Sequence, residues 1–183
     1  MKTAAILVQG PSLKELEERI AEFKDKDWVW AAVNQYRYME RHILEKIDKQ
    51  FDIVYCICST RFNQIASYLI GFNGLLISED PFYCRINSLC GLIHWLERAG
   101  YKKIILFGAD GGVDEGDTYY RQDEFKFNLK AERVEVKNKA IQKDTVQMNK
   151  EFNIGKVTVL NCSKRSKINI FPKITIDEAL NES

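Results

Sequence analysis

Three short constellations in this 183-residue chain carry side chains able to do chemistry. The first is Gly10-Pro11-Ser12, which follows the apolar run Ala4–Val8 and precedes Leu13, Leu16, Ile20 and Phe23 at helical spacing. Gly10 lets the main chain approach a bound group, Pro11 presets a first helical turn, and Ser12 with Glu15 has capping-box spacing. A helix start at a strand end offers N–H donors and partial positive charge to a phosphate or carboxylate, but Gly-Pro-Ser is also an ordinary turn. The second constellation is Asp110 within Gly108–Gly112, after the strand-like run Lys103–Phe107. A carboxylate between small residues at a strand end is expected to face a crevice, where it can hold a hydroxyl, a base edge or Mg²⁺; the alternative is a cap on the following turn. The third is Arg85 ahead of Asn87 and Ser88, where a guanidinium and a helix start suit an anion, the alternative being a surface Arg and a routine cap.

Other candidates are less pointed. Asp114, Glu115 and Asp117 offer oxygen ligands to a hard cation, but acids in a Gly-rich loop commonly form a solvated face, and the spacing is not that of an EF-hand. Tyr119 and Tyr120 can orient a leaving group through their phenols or simply pack a lid. Arg61, Lys164, Arg165 and Lys167 can neutralise phosphates, solvated charge being their default role. His42 and His94 fall in helical stretches and do not look like general bases. Walker, G-x-G-x-x-G and G-x-S-x-G signatures are absent from the sequence.

The elements that must position these residues follow a strand, turn and helix rhythm. Ala4–Val8, Trp28–Val33, Phe51–Cys58, Gly74–Ser78, Lys103–Phe107 and Val157–Leu160 read as strands. Helical spacing joins Leu13 to Phe23, Tyr36 to Ile47, Leu89 to Leu96 and Ile141 to Phe152, with Gly100 ending the third of these helices. The strands are continuously apolar rather than alternating, as a parallel sheet covered on both faces requires, so the fold class is α/β. In such sheets ligands bind beyond the carboxyl ends of the strands. Gly10–Ser12, Asn34, Cys58–Arg61, Gly108–Gly112 and Asn161–Ser166, including Ser163, all leave strands at that edge and are expected to line one crevice suited to a phosphorylated ligand.

At 45% hydrophobic and 29% charged, with a net charge of +1, the composition is that of a globular chain without a strong field for nucleic acid or an anionic membrane. We expect one domain over residues 1–183, with 113–130, which carries its own aromatics, as a lid or site loop. No run reaches the length of a transmembrane helix and the first apolar stretch is too lightly flanked for a signal peptide, so a cytoplasmic location is expected. Cys56, Cys58, Cys84, Cys90 and Cys162 form no C-x-x-C and are expected to be buried free thiols.

The segments AAILVQGPSLKE, AAVN, CRINSL and AGYKKIILFGADGG, followed by a Tyr-containing loop, resemble in order the bacterial family 42 sialyltransferases and the related 6-hydroxymethylpterin diphosphokinase-like group. The resemblance runs from Ala4 to about Tyr120 and implies a single Rossmann-like domain, its mostly parallel sheet flanked by helices. It implies that Gly10, Pro11, Ser12 and Asn34 face a donor nucleotide. Arg85, Asn87 and Ser88 would meet the anionic group of the donor sugar, Asp110 and Gly108 would belong to the site turn, and Tyr119 or Tyr120 would be the site tyrosine. Two departures accompany it: Val134–Ala140 lacks the His that the sialyltransferases place there, and Cys58 falls where an Asn is expected. The chain is also short, leaving little room for an acceptor-binding lid.

Three functions follow as expectations. One is a nucleotide-dependent glycosyltransferase of surface glycan synthesis, using a nucleotide-activated sugar and a small-molecule or glycan acceptor. Another is a Mg²⁺-dependent diphosphokinase acting on a small alcohol such as a hydroxymethylpterin, with Asp110 and Asp114 as metal ligands. The third is a non-catalytic nucleotide-binding accessory domain. A homo-oligomer stays open in each.

Overall fold

The computed structural model describes residues 2–33, 41–56, 72–78, 86–114 and 131–182. Asn34, Tyr36, Met39, Cys58, Arg61, Cys84, Arg85, Glu115, Asp117, Tyr119 and Tyr120 lie outside them, as does nearly all of the expected lid loop.

Among the described residues, six strands build one parallel sheet: β1 (Thr3–Leu7), β2 (Val29–Val33), β3 (Ile53–Cys56), β4 (Leu75–Ser78), β5 (Lys103–Phe107) and β6 (Thr158–Cys162), in the order β4-β3-β2-β1-β5-β6. Helices α1 (Leu13–Arg19), α2 (Arg41–Glu45), α3 (Ser88–Arg98), α4 (Ala131–Glu151) and α5 (Ile176–Asn181) accompany it, with a 3-10 turn at Ile20–Phe23. The fold is therefore α/β and Rossmann-like. No helix among the described residues is long and apolar enough to cross a membrane.

The continuous apolar runs have the expected cause. Every residue of β1 and β3 is buried. Alternate side chains feed two cores, one on each face of the sheet. Ala5, Leu7, Trp30 and Phe107 join α1, α2 and α5 through Leu13, Leu16, Ile43 and Ile176. Ala4, Ile6, Tyr55 and Leu106 join α3 and α4 through Leu92, Ile93, Leu96 and Met148. Cys56, Cys90 and Cys162 are buried free thiols.

Several boundaries differ from the sequence expectation. The last strand runs on through Asn161 and Cys162 because they pair with Leu106 and Phe107 of β5; on the other side Asn161 N–H donates to the Pro172 carbonyl at 2.9 Å and Ile174 N–H to the Asn161 carbonyl at 3.1 Å. The described part of the second helix spans Arg41–Glu45, and Asp48 just beyond it adopts φ +56°. The tail contains a helix, α5, with a complete capping box between Thr175 and Glu178. At Ser12 the expected capping box does not form. Leu13 N–H already donates to the Gly10 carbonyl, so the chain is helical before Ser12, which has αR angles of φ −66° and ψ −10°. A capping side chain needs extended backbone, and Thr175 has it at φ −85° and ψ 166°.

Candidate functional site

The strand order turns back on itself at β1, whose neighbours are β2 on one side and β5 on the other. At such a switch point the connections diverge and leave a crevice at the carboxyl edge. The turns beyond β1 and β5 meet there. Val8 N–H donates to the Phe107 carbonyl at 2.8 Å and Gly10 N–H to the Gly108 carbonyl at 2.9 Å, which extends the pairing past both strands. Glycine is required on both sides: a Cβ on Gly10 would strike the Asp110 carboxylate and the Gly108 carbonyl, and one on Gly108, at φ +70°, would strike the Val8 carbonyl.

Asp110 occupies this junction differently from the expectation. It is 4% exposed and turns inward rather than into an open crevice. Its Oδ2 accepts the Ser12 N–H at 2.9 Å and its Oδ1 accepts the Ser163 hydroxyl. Ser12 Oγ in turn donates to Ser163 Oγ at 2.9 Å. One carboxylate thus ties together the exits of β1, β5 and β6. Its placement is electrostatically sound, because it sits at the start of α1 where the helix dipole favours a negative charge.

This carboxylate takes the place that the sequence assigned to an external anion. The remaining amides of the turn are also committed: Leu13, Lys14 and Glu15 donate to the carbonyls of Gly10, Pro11 and Ser12. The turn is a sealed junction. Gly10, Pro11 and Ser12 form the floor of the edge, and the phosphate cradle expected of their amides is not formed. Gly108 is fixed in the same floor, and Ser163 is fully buried in it.

Beyond β5 and β6 a second layer of hydrogen bonds holds the rim. Asn161 Nδ2 donates to the Ala109 carbonyl at 3.2 Å and to Ser166 Oγ at 2.9 Å, and Ser166 Oγ donates to the Ala109 carbonyl at 2.6 Å. Asn161 Oδ1 is buried without a partner among the described residues. Asn138 clasps Val113 both ways, donating to its carbonyl at 2.7 Å and accepting its N–H at 3.0 Å, and Gln142 adds a 2.7 Å bond to the same carbonyl. Asn138 lies within the stretch where the resembled enzymes carry a His. Asn161 and Ser166 bound the strand exit expected at this edge, whereas Asn138 and Gln142 were missed; the one available signal for them was two amides four residues apart on an otherwise charged helix.

The proposed metal pair fits poorly. Both Asp110 oxygens accept hydrogen bonds within the junction, and Asp114 Oδ1 is ion-paired with Lys167 Nζ at 2.5 Å, so an ammonium already stands where a dication would need to approach. Among the described residues no group of three or more His, Cys, Asp or Glu side chains is arranged to hold a metal.

At α3, Asn87 rather than Ser88 is the cap, its side chain accepting Cys90 N–H at 3.0 Å from an extended backbone. Ser88 is buried in the first turn. The Asn87 side-chain oxygen is therefore engaged in the helix start. Cys162, at the end of β6, is buried, and burial, reinforced by Glu15 and Glu178, pushes its thiol up to about 12, away from the thiolate form. His42 contacts Glu17 at 3.1 Å and His94 packs against Phe152, which accounts for both histidines away from the edge.

No protein-family model, curated protein or solved structure matches this chain.

Proposed function

We propose that this chain is a nucleotide-binding transferase domain whose ligand lies across the carboxyl ends of β1, β5 and β6. The observation that carries the reading is the reversal of strand order at β1, with two glycine-bearing turns meeting at that point. Glycosyl transfer from a nucleotide-activated sugar, in the synthesis of a surface glycan, is the first form of the proposal. It draws on the order of the resembling segments. In it the Asp110 junction is a rigid floor, and Arg85 with Tyr119 or Tyr120 would meet the sugar and the departing phosphate.

Diphosphoryl transfer from ATP is the second form. The Asp114–Lys167 ion pair weighs against it, because Mg²⁺ would have to displace the ammonium. An accessory domain that binds a nucleotide without turnover is the third.

A thermal-shift panel of CMP, CDP, UDP, GDP, AMP and ATP, each with and without Mg²⁺, separates them. A ligand at a hundred times its Kd adds about 2.7 kcal/mol of stability, readily visible as a raised melting temperature. Metal-independent stabilisation by a pyrimidine nucleotide is expected. Stabilisation by ATP only with Mg²⁺ would move the assignment to diphosphoryl transfer, and no shift with any nucleotide would overturn the nucleotide reading. Turnover assays on whichever nucleotide binds distinguish a transferase from an accessory domain.

A further inference from the structure

We propose that the turn Ser163–Ser166 is the phosphate subsite of this edge, taking a diphosphate through Lys164 and Arg165; the identity of the diphosphate as part of a nucleotide rests on the reading above. The amides of Gly10, Ser12, Leu13, Lys14 and Glu15 in the turn after β1 are committed within the chain, so an anion at this edge needs donors from another exit. The turn beyond β6 is the neighbouring exit, joined to the β1 exit through Ser12 Oγ and Ser163 Oγ.

Ser166 N–H donates to the Ser163 carbonyl at 3.2 Å, closing a four-residue turn with Lys164 and Arg165 at its tip. Both tip side chains are exposed. Among the described residues neither has an ion-pair partner and neither main-chain N–H has an acceptor. Two successive free amides on residues that carry an ammonium and a guanidinium are a donor set suited to phosphate oxygens.

The turn is held more firmly than a solvated surface turn needs. Ser163 Oγ donates to Asp110 Oδ1, and Lys167 N–H donates to the Asp110 carbonyl at 2.8 Å. Ser166 Oγ is fixed by Asn161 and Ala109, and Lys173 Nζ donates to the Ser166 carbonyl at 2.6 Å. The adjacent Lys167 is neutralised by Asp114, whereas Lys164 and Arg165 keep their charge for an outside partner. The result is a preorganised cationic tip at the switch-point edge, which lowers the ordering cost of binding.

The test uses the full chain with inorganic pyrophosphate, a nucleoside diphosphate, and the corresponding nucleoside as probes. In amide NMR spectra pyrophosphate is expected to move the Lys164 and Arg165 signals. Lys164→Ala and Arg165→Ala are each expected to weaken nucleoside diphosphate binding by about tenfold while leaving the nucleoside unaffected, as loss of one charge-assisted contact implies. Lys102→Ala, exposed at the opposite edge beside the start of β5, is expected to change nothing. Pyrophosphate binding at the turn without nucleotide binding would keep the subsite and overturn the nucleotide reading. If pyrophosphate leaves these amides unmoved, or the double variant binds the diphosphate as tightly as wild type, the subsite is overturned.

Discussion

At the scale of single residues, Asp110 has the most consequential position. Its carboxylate accepts from a main-chain amide at the start of α1 and from a hydroxyl at the end of β6. Asp110→Ala would leave the buried Ser12 N–H without an acceptor and release Ser163, a loss on the order of 2–4 kcal/mol. Asp110→Asn keeps an oxygen for the Ser12 amide, and its NH₂ can donate to a hydroxyl turned the other way, so the expected loss is about 1 kcal/mol. Urea denaturation of the two variants reads the difference. Equal stability of wild type and Asp110→Ala would contradict the structural role and return Asp110 to the ligand.

Sequence could locate this carboxylate and could not orient it. The Gly-flanked pattern around Asp110 marks a strand exit in the same way whether the side chain turns toward solvent or toward Ser12, 98 positions away in sequence. The same holds for Ser163, whose partners come from two distant segments. Gly10 was legible as a place of close approach, but the approaching group is the chain's own carboxylate.

At the scale of elements, start and stop signals worked where the surrounding backbone allowed them. Asn87 caps α3 as its spacing suggests, and Gly100 follows that helix at φ +87°. The Ser12–Glu15 pair failed because Pro11 and the Gly10 carbonyl start the helical turn one step early. The Thr175–Glu178 pair, unread in a tail of mixed basic and apolar residues, is fully formed. It sets α5 against the α1 face through Ile176 and Ala179. Thr175→Ala is expected to cost about 1 kcal/mol and lower Tm by roughly 2–4 °C, measured by thermal denaturation. An unchanged Tm would mean that α5 is held by its apolar contacts alone.

At the scale of the whole molecule, the parallel sheet was legible because its strands are buried on both faces and so are apolar throughout. Strand order was not, since neighbours such as β1 and β5 are separated by most of the chain and paired only in three dimensions. That order places the switch point, and with it the functional edge. Among the described residues, the strand exits expected to share one crevice divide into a sealed floor of Gly10, Ser12, Gly108, Asp110 and Ser163 and an outward rim at Lys164 and Arg165.

The most direct test of the central claim is amide chemical-shift mapping of the full chain titrated with CMP and with ATP, with and without Mg²⁺. Binding at the carboxyl edge predicts saturable shifts concentrated in residues 108–114 and 163–168, with the opposite edge around Lys2, Lys102 and Lys156 unmoved. Shifts centred on that opposite edge, or none at millimolar nucleotide, would contradict the account.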